Sequence, residues 1–585
     1  MTTSHKLLTL LIIILTTSLS CFTQSSVFNR GSNFSSPVDI PLYLSGTFGE
    51  LRSNHFHSGI DIKTQGVEGK KIRSIDTGWV SRINVSTSGY GKAIYITHPN
   101  GYVSVYGHLK RFNDTIQSVV VAKQYEKESY TLRLFFDKGE LPVSKGELIA
   151  YSGNTGGSHG PHLHFEIRDE KSQNPVNPLM FNSIGVKDFY RPKITRLLIY
   201  PTDNQSLING KNDTLEVKLS GWGEGHVPED KSEITISGRV SFGIGTYDLM
   251  NKISNKNGVY STKLFHDTTL LFNLEMNRLS FSTTRYINSL IDYHYYKKNK
   301  SRVIRTQVDT NNMLNNYLTV INNGIIDIQD TLQHTMVFEV RDAYKNLSKL
   351  TFKIKGSPNS ESEIAVSKPD GNQRHFNYFE KNTISGKGMT VSFPANSFYR
   401  STYFDFEIFD KDSSAHSNTY KLHSYLTPVH KYFNIRMDYD SVEGISKDQY
   451  YISYSTDNID YYYTSTKSKN NKLEGRSRSL GYYRIMSDTI PPIIKEVNFK
   501  NGLDISNQKN LKIKIIDNET GISSYKGYLN DKWILMEYDP KKDLLRYDYD
   551  EHLLLGTNVF KLEITDLVGN QTIYNIKVNY KNKSN

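Results

Sequence analysis

Gly160-Pro161-His162-Leu163-His164-Phe165-Glu166-Ile167-Arg168 alternates between polar and apolar residues from His162 onward. A period of two is that of a β-strand, so Leu163, Phe165 and Ile167 should face a core while His162, His164, Glu166 and Arg168 face a cleft. The Gly-rich stretch Ser152-Gly153-Asn154-Thr155-Gly156-Gly157-Ser158 leads into this strand and reads as a hairpin turn. As a phosphate loop it fails, because it lacks the Lys-Ser/Thr ending and is followed by a strand rather than a helix. Outward from this hairpin lie further alternating runs, such as Lys92-Ala93-Ile94-Tyr95-Ile96 and Tyr102-Val103-Ser104-Val105-Tyr106. Short strands between Gly, Asn and Pro turns predict an antiparallel β domain reaching from Val38 to about Tyr190, with almost no helix.

Beyond Arg191-Pro192 the chain becomes Tyr- and Asn-rich and keeps the period of two, as in Leu511-Lys512-Ile513-Lys514-Ile515. An internal repeat is visible. Val337 to Asp342 with Asn346, followed by Leu350 to Ile354, matches Leu562 to Asp566 with Asn570, followed by Ile573 to Val578. Both copies set Asp and Asn four apart in a turn, where such side chains bond the backbone. The chain is thus read as mainly β, its N-terminal domain followed by two or three β-sandwich domains of immunoglobulin-like type. The expected divisions are residues 24–190, 191–356, 357–488 (a less legible β domain) and 489–585, the last opening at Thr489-Ile490-Pro491-Pro492.

Residues 1–23 have the anatomy of a secretory signal peptide: Lys6, an apolar run from Leu7 to Leu15, then small polar residues. Cleavage is expected after Thr23. Lipidation of Cys21 is the less favoured alternative, because Ser18-Leu19-Ser20 is a poor lipobox. Cys21 is the only cysteine of 585 residues, so the domains hold together without intramolecular disulfides. The chain is expected in the periplasm or cell envelope, with no transmembrane span after processing. The formal charge of +11 would favour contact with anionic wall polymers or membrane surfaces, but the lysines are scattered rather than gathered into blocks, which reads mostly as a solvated surface. No nucleic-acid module is present in the pattern. Asp410-Lys411-Asp412 lacks the spacing of an EF-hand-type loop and reads as a solvated turn.

The N-terminal domain holds two further histidine segments. In His55-Phe56-His57-Ser58-Gly59-Ile60-Asp61, an extended chain would put His57 and Asp61 on one face, with Gly59 leaving room for a bound group. Tyr106-Gly107-His108-Leu109 is placed at a strand end. A lone histidine is most often an ordinary hydrogen-bonded residue. Two on one strand face are costly unless something uses them.

Taken together and in this order, these segments resemble the LytM/lysostaphin-type zinc metalloendopeptidases of peptidoglycan, over about Ile40 to Phe181. The resemblance implies that His57, Asp61 and His164 bind Zn2+ and that His108 and His162 are the catalytic histidines. Two imidazoles and a carboxylate are ordinary zinc ligands, and three protein ligands leave a fourth position open. One of His108 and His162 would act as general base and the other would stabilise the oxyanion, with the assignment open. No His-Glu-x-x-His helix occurs, and Glu166 is not read as the base.

The resemblance implies hydrolysis of peptidoglycan cross-links; the sequence does not decide between a direct link and a glycine bridge, and the absence of a recognisable wall-targeting module of the lysostaphin kind favours the direct one. The rival readings are a non-catalytic wall-binding, scaffold or activator protein, and a peptidase acting on proteins. A cell-envelope protein partner for the C-terminal β domains fits either. One departure from the family is expected at about residues 111–145, an insertion with strands at Ser118 to Ala122 and Tyr130 to Phe136, acting as a groove wall or as surface decoration.

Overall fold

A computed structural model describes residues 33–250, 253–358 and 373–581. The signal-peptide reading, Cys21 and the cleavage point lie outside these residues. The molecule is mainly β, and its domains follow one another along the chain.

The N-terminal domain is built on one sheet whose main path runs β1 (Leu44–Gly46), β2 (Ile60–Lys63), β10 (His162–Asp169), β6 (Tyr102–Phe112), β5 (Lys92–Thr97), β4 (Gly78–Val85) and β7 (Leu132–Phe135). Beside this path, β3 (Lys71–Arg73) pairs with β9 (Leu148–Ser152), β8 (Pro142–Val143) with β4, and β11 (Pro175–Val176) with β10. All these pairs are antiparallel. The strand whose alternation opened the reading lies in the interior of the sheet. Leu163, Phe165 and Ile167 are fully buried beside Ile60, Ile62 and Tyr106 in one core cluster. The opposite face of β10 is buried as well, at His164, Glu166 and Arg168, so its polar groups must find partners within the protein.

Two local expectations are corrected. Ser118 to Ala122 is not a strand but lies within helix α1 (Asp114–Glu126). The Val119-Val120-Val121 run suggested β structure, yet Asn113 caps the helix by accepting from the Ile116 N–H at 2.9 Å. Ile116, Val120 and Gln124 then recur every four residues as its buried stripe. His108 does not end a strand either. It lies inside β6, at φ 57°, where the pairing with β5 and β9 slips by a bulge. A left-handed histidine inside a strand is strained, and such strain gathers at functional sites.

The second domain, from Lys193 to Gly356, is a fourteen-stranded sheet centred on Thr235–Leu249 and the hairpin Gln333–Arg341/Leu347–Gly356. Its core takes in Phe48 and Phe56 from the N-terminal domain. The third carries two five-stranded sheets around one core of Phe393, Phe433, Ile452 and Tyr483. The last, Ile493 to Tyr580, packs two four-stranded antiparallel sheets face to face over Leu511, Ile513, Ile515, Phe560 and Leu562. Among the described residues no helix is long and apolar enough to cross a membrane.

The last domain folds back against the first. Lys92 pairs with Glu537 at 2.6 Å, Tyr130 donates to the same carboxylate at 3.1 Å, and Tyr125 of α1 stacks on His552. The Lys541 ammonium donates to the carbonyls of Asn154 and Ser158 in the Gly-rich turn.

Candidate metal centre and active site

Sheet register builds the centre. On β10, His164 stands opposite Asp61 of β2 on one side and Gly107 of β6 on the other. His57, just before β2, and His108, just after Gly107, are thereby brought to the same point. Gly59 serves a different purpose from the one expected of it. A Cβ there would come within 2.3 Å of the Phe165 carbonyl oxygen, so glycine permits the close approach of β10 rather than leaving room for a bound group.

Three donor atoms converge. His57 Nε2 lies 3.1 Å from Asp61 Oδ1 and 3.1 Å from His164 Nδ1, and the last two are 2.9 Å apart. Around tetrahedral zinc, bonds of about 2.0–2.1 Å would put ligand atoms ~3.3 Å apart. The triangle is therefore close to the required size.

Each donor is turned inward by a hydrogen bond on its far side. His57 Nδ1–H donates to the Thr47 carbonyl at 2.8 Å, which leaves the Nε2 lone pair for the centre. His164 Nε2–H donates to Glu166 Oε1 at 2.8 Å, which leaves Nδ1. Asp61 Oδ2 accepts from Arg52 at 2.5 Å, so Oδ1 alone faces the imidazoles. Such outer partners fix the tautomer and orientation of metal ligands.

Glu166 is fully buried and saturated. Oε1 also accepts from Ser58 at 2.5 Å and Tyr90 at 2.6 Å, while Oε2 accepts from Arg168 at 2.6 Å. With no lone pair directed to a reacting atom, it positions His164.

The charges agree with a cation. Burial opposes ionisation of Asp61, but the His57 charge and hydrogen bonds from the histidines outweigh it and hold the carboxyl well below its usual range. Burial likewise disfavours a charged His164, yet its bonds to Asp61 and Glu166 raise it to about 9. Without metal the centre thus holds a proton between His164 and Asp61, where positive charge is wanted.

His108 and His162 sit beside the triangle, their ring centroids 4.8 Å apart, with His108 5.8 Å from His164. Their Nδ1–H groups donate to the carbonyls of Thr155 and Gly160, each at 2.8 Å, which leaves both Nε2 atoms with lone pairs. His162 Nε2 is 3.5 Å from Asp61 Oδ1. Burial, with His164 and His162 alongside, pushes His108 down to about 3, so it is a neutral base at neutral pH.

Residues 55–125 and 133–178 match the description Peptidase family M23. The N-terminal domain is a peptidase family M23 domain. Of the expected insertion, residues 126–132 fall outside the match, and α1 lies within it up to Tyr125. Residues 373–488 match the Zu5-like domain.

The chain is similar to DD-carboxypeptidase/endopeptidase Mpg of Neisseria meningitidis serogroup B, 31% identical over 129 residues, which is 22% of this chain and 23% of the relative. It is also similar to Murein hydrolase activator NlpD of Salmonella typhimurium, 31% identical over 172 residues, covering 28% of this chain and 39% of the relative. The matches therefore span well under half of these relatives' length. Among solved structures, the catalytic domain of the prophage-encoded M23 protein EnpA from Enterococcus faecalis is 25% identical, covers 25% of this chain and 95% of that one, and has a TM-score of 0.19.

Sequence reasoning placed Arg168 on the cleft face but missed Thr47, Arg52 and Tyr90 as parts of the centre. Tyr90 and Arg52 act from separate loops and Thr47 through its carbonyl, and no local spacing announces either.

Proposed function

We propose that this chain is an exported zinc-dependent endopeptidase that hydrolyses peptide cross-links of bacterial peptidoglycan. His57, Asp61 and His164 would hold the metal, and His108 and His162 would handle the protons. The observation that carries the reading is the convergence of three oriented donor atoms beside two imidazoles anchored on carbonyls.

Zinc bound there would supply Lewis-acid polarisation of the scissile carbonyl and a water with a pKa near 7. The protein's own part is positional. Neutral His108, held by Thr155, is suited to accept a proton from the attacking water and pass it toward the leaving amine. His162, the more exposed of the two, is suited when protonated to stabilise the developing oxyanion. The cross-link favoured is a direct one between D-alanine and a diamino acid, and the β domains would position the M23 domain on the wall or on an envelope partner.

A second reading, a non-catalytic activator, is favoured by the similarity to NlpD, named a murein hydrolase activator. The complete set of five site residues supports catalysis over it.

The test is digestion of purified cross-linked peptidoglycan by the full-length secreted chain, with and without zinc, beside His164→Ala. Conversion of dimeric to monomeric muropeptides only with zinc and intact His164 supports the proposal. Binding without cleavage in every arm would leave the activator reading.

A further inference from the structure

A second convergence of ligand atoms lies at the seam between the M23 domain and the domain that follows. Asp188 comes from the connecting segment, Asp248 from the end of the strand Thr235–Leu249, and Asp342 from the turn after Gln333–Arg341. They are 4%, 3% and 3% exposed, and one carboxylate oxygen of each lies within 4.8 Å of the others. The three line a cavity of about 10 Å3 together with Thr47, Asn177 and Tyr344. That is room for one small ion or one water.

Asp342 is fixed by the Tyr344 and Asn346 backbone N–H groups at 2.9 and 2.8 Å. The Asn346 amide donates to Asp342 Oδ2 at 2.6 Å and to the Asp188 carbonyl at 3.3 Å. Asp248 Oδ1, buried in this cluster, has no hydrogen-bond partner. A buried carboxylate oxygen without donor or counter-ion is strongly disfavoured.

The internal repeat supplies a control within the molecule. At the last junction, Asp488 accepts from the Ile490 N–H, Asp566 from the Val568 and Asn570 N–H groups, and the Asn570 amide bridges Asp566 and the Asp488 carbonyl. There Asp488 Oδ2 receives the Thr520 hydroxyl, and Asp517 receives the Thr520 and Gly521 N–H groups. The same scaffold thus recurs, and Asp488, Asp517 and Asp566 also bring their oxygens within 4.8 Å of one another, but there Asp488 and Asp517 are supplied by donors while Asp248 Oδ1 is not.

We propose that Asp188, Asp248 and Asp342 bind a hard divalent cation of the calcium class, clamping the M23 domain to the next domain. All-oxygen, carboxylate-rich donors suit such an ion, whose bonds of about 2.3–2.6 Å fit ligand atoms spread this far. Without the ion, burial and the neighbouring Asp188 and Asp342 charges would drive Asp248 to keep a proton. The seam site is separate from the histidine centre but not remote in structure: Thr47 lines the cavity, and its carbonyl holds His57.

The test is terbium titration of the full-length chelated protein, read by tyrosine-sensitised emission, since Tyr260 and Tyr344 line the cavity. Saturable emission displaced by calcium is expected, with Asp248→Asn binding one ion fewer per chain or at least tenfold more weakly, and His164→Ala retaining the signal. Calcium should also raise the melting temperature of the wild type but not of Asp248→Asn, which as a neutral isostere should melt no lower than the chelated wild type. Absence of saturable emission, unchanged emission in Asp248→Asn, or its loss in His164→Ala would overturn the proposal. So would a wild-type melting temperature indifferent to calcium.

Discussion

His164 and Glu166, two residues apart on one strand, are joined by a 2.8 Å hydrogen bond from Nε2 to Oε1 that aims the opposite nitrogen at His57 and Asp61. Alternation alone puts them on the same face; the buried Arg168, bonded to the other Glu166 oxygen, keeps that carboxylate charged. Glu166→Gln should therefore weaken zinc affinity by roughly 10- to 100-fold. Competition with a chromophoric chelator measures this. Turnover at saturating zinc should fall far less, whereas a general base would lose it outright.

His108→Ala and His162→Ala should each lower turnover by roughly 10²- to 10⁴-fold. Bound zinc should stay near one per chain, because neither imidazole belongs to the donor triangle. Metal analysis beside muropeptide release separates this from loss of the ion. Of the two, His108 is held neutral at neutral pH by burial and its neighbouring histidines, so protonation of the metal ligands rather than of His108 should set the acid limb of the activity profile.

The Lys92–Glu537 pair predicts a mechanical link between the two ends of the chain. Glu537→Ala leaves the Tyr130 hydroxyl without its acceptor and Lys92 with the Lys110 carbonyl but no counter-charge, and should cost about 2 kcal/mol of docking. Hydrogen exchange should then quicken in α1 and in the Gly-rich turn, which Lys541 also holds. Unchanged exchange there would show that the contact contributes nothing.

Acid should loosen the joint between the second and third domains. His430 stacks on Tyr286 and accepts from or donates to the Tyr399 hydroxyl at 3.2 Å. Burial, with Arg285 and Lys431 nearby, depresses it to about 4. Because the folded value lies below the unfolded one of about 6.5, the stability it contributes is present above pH 6.5 and is lost as pH falls toward 4. Melting curves at pH 7 and pH 4.5 should show a drop that His430→Phe reduces.

How far the sequence could be read depended on the range of the interactions. The alternation at Leu163, Phe165 and Ile167 was legible because each residue's environment follows from the pleat. The segments that converge at His57, Asp61, His108, His162 and His164 were legible because their motifs are short. Helix α1 was not: β-branched Val119 to Val121 masked the four-residue stripe, one member of which is the polar Gln124. Nor were Thr47, Arg52 and Tyr90, whose partners depend on sheet register and loop placement across the domain.

Phe48 and Phe56 belong by sequence to the N-terminal domain and by packing to the core of its neighbour, and Thr47 between Gly46 and Phe48 exchanges hydrogen bonds with Gly258 across the same seam. Cutting the chain between the two domains would strip two aromatic rings bare within a few residues of the candidate metal centre. The second domain therefore supplies the socket in which this part of the N-terminal domain is buried, and a fragment ending near residue 190 would lack it.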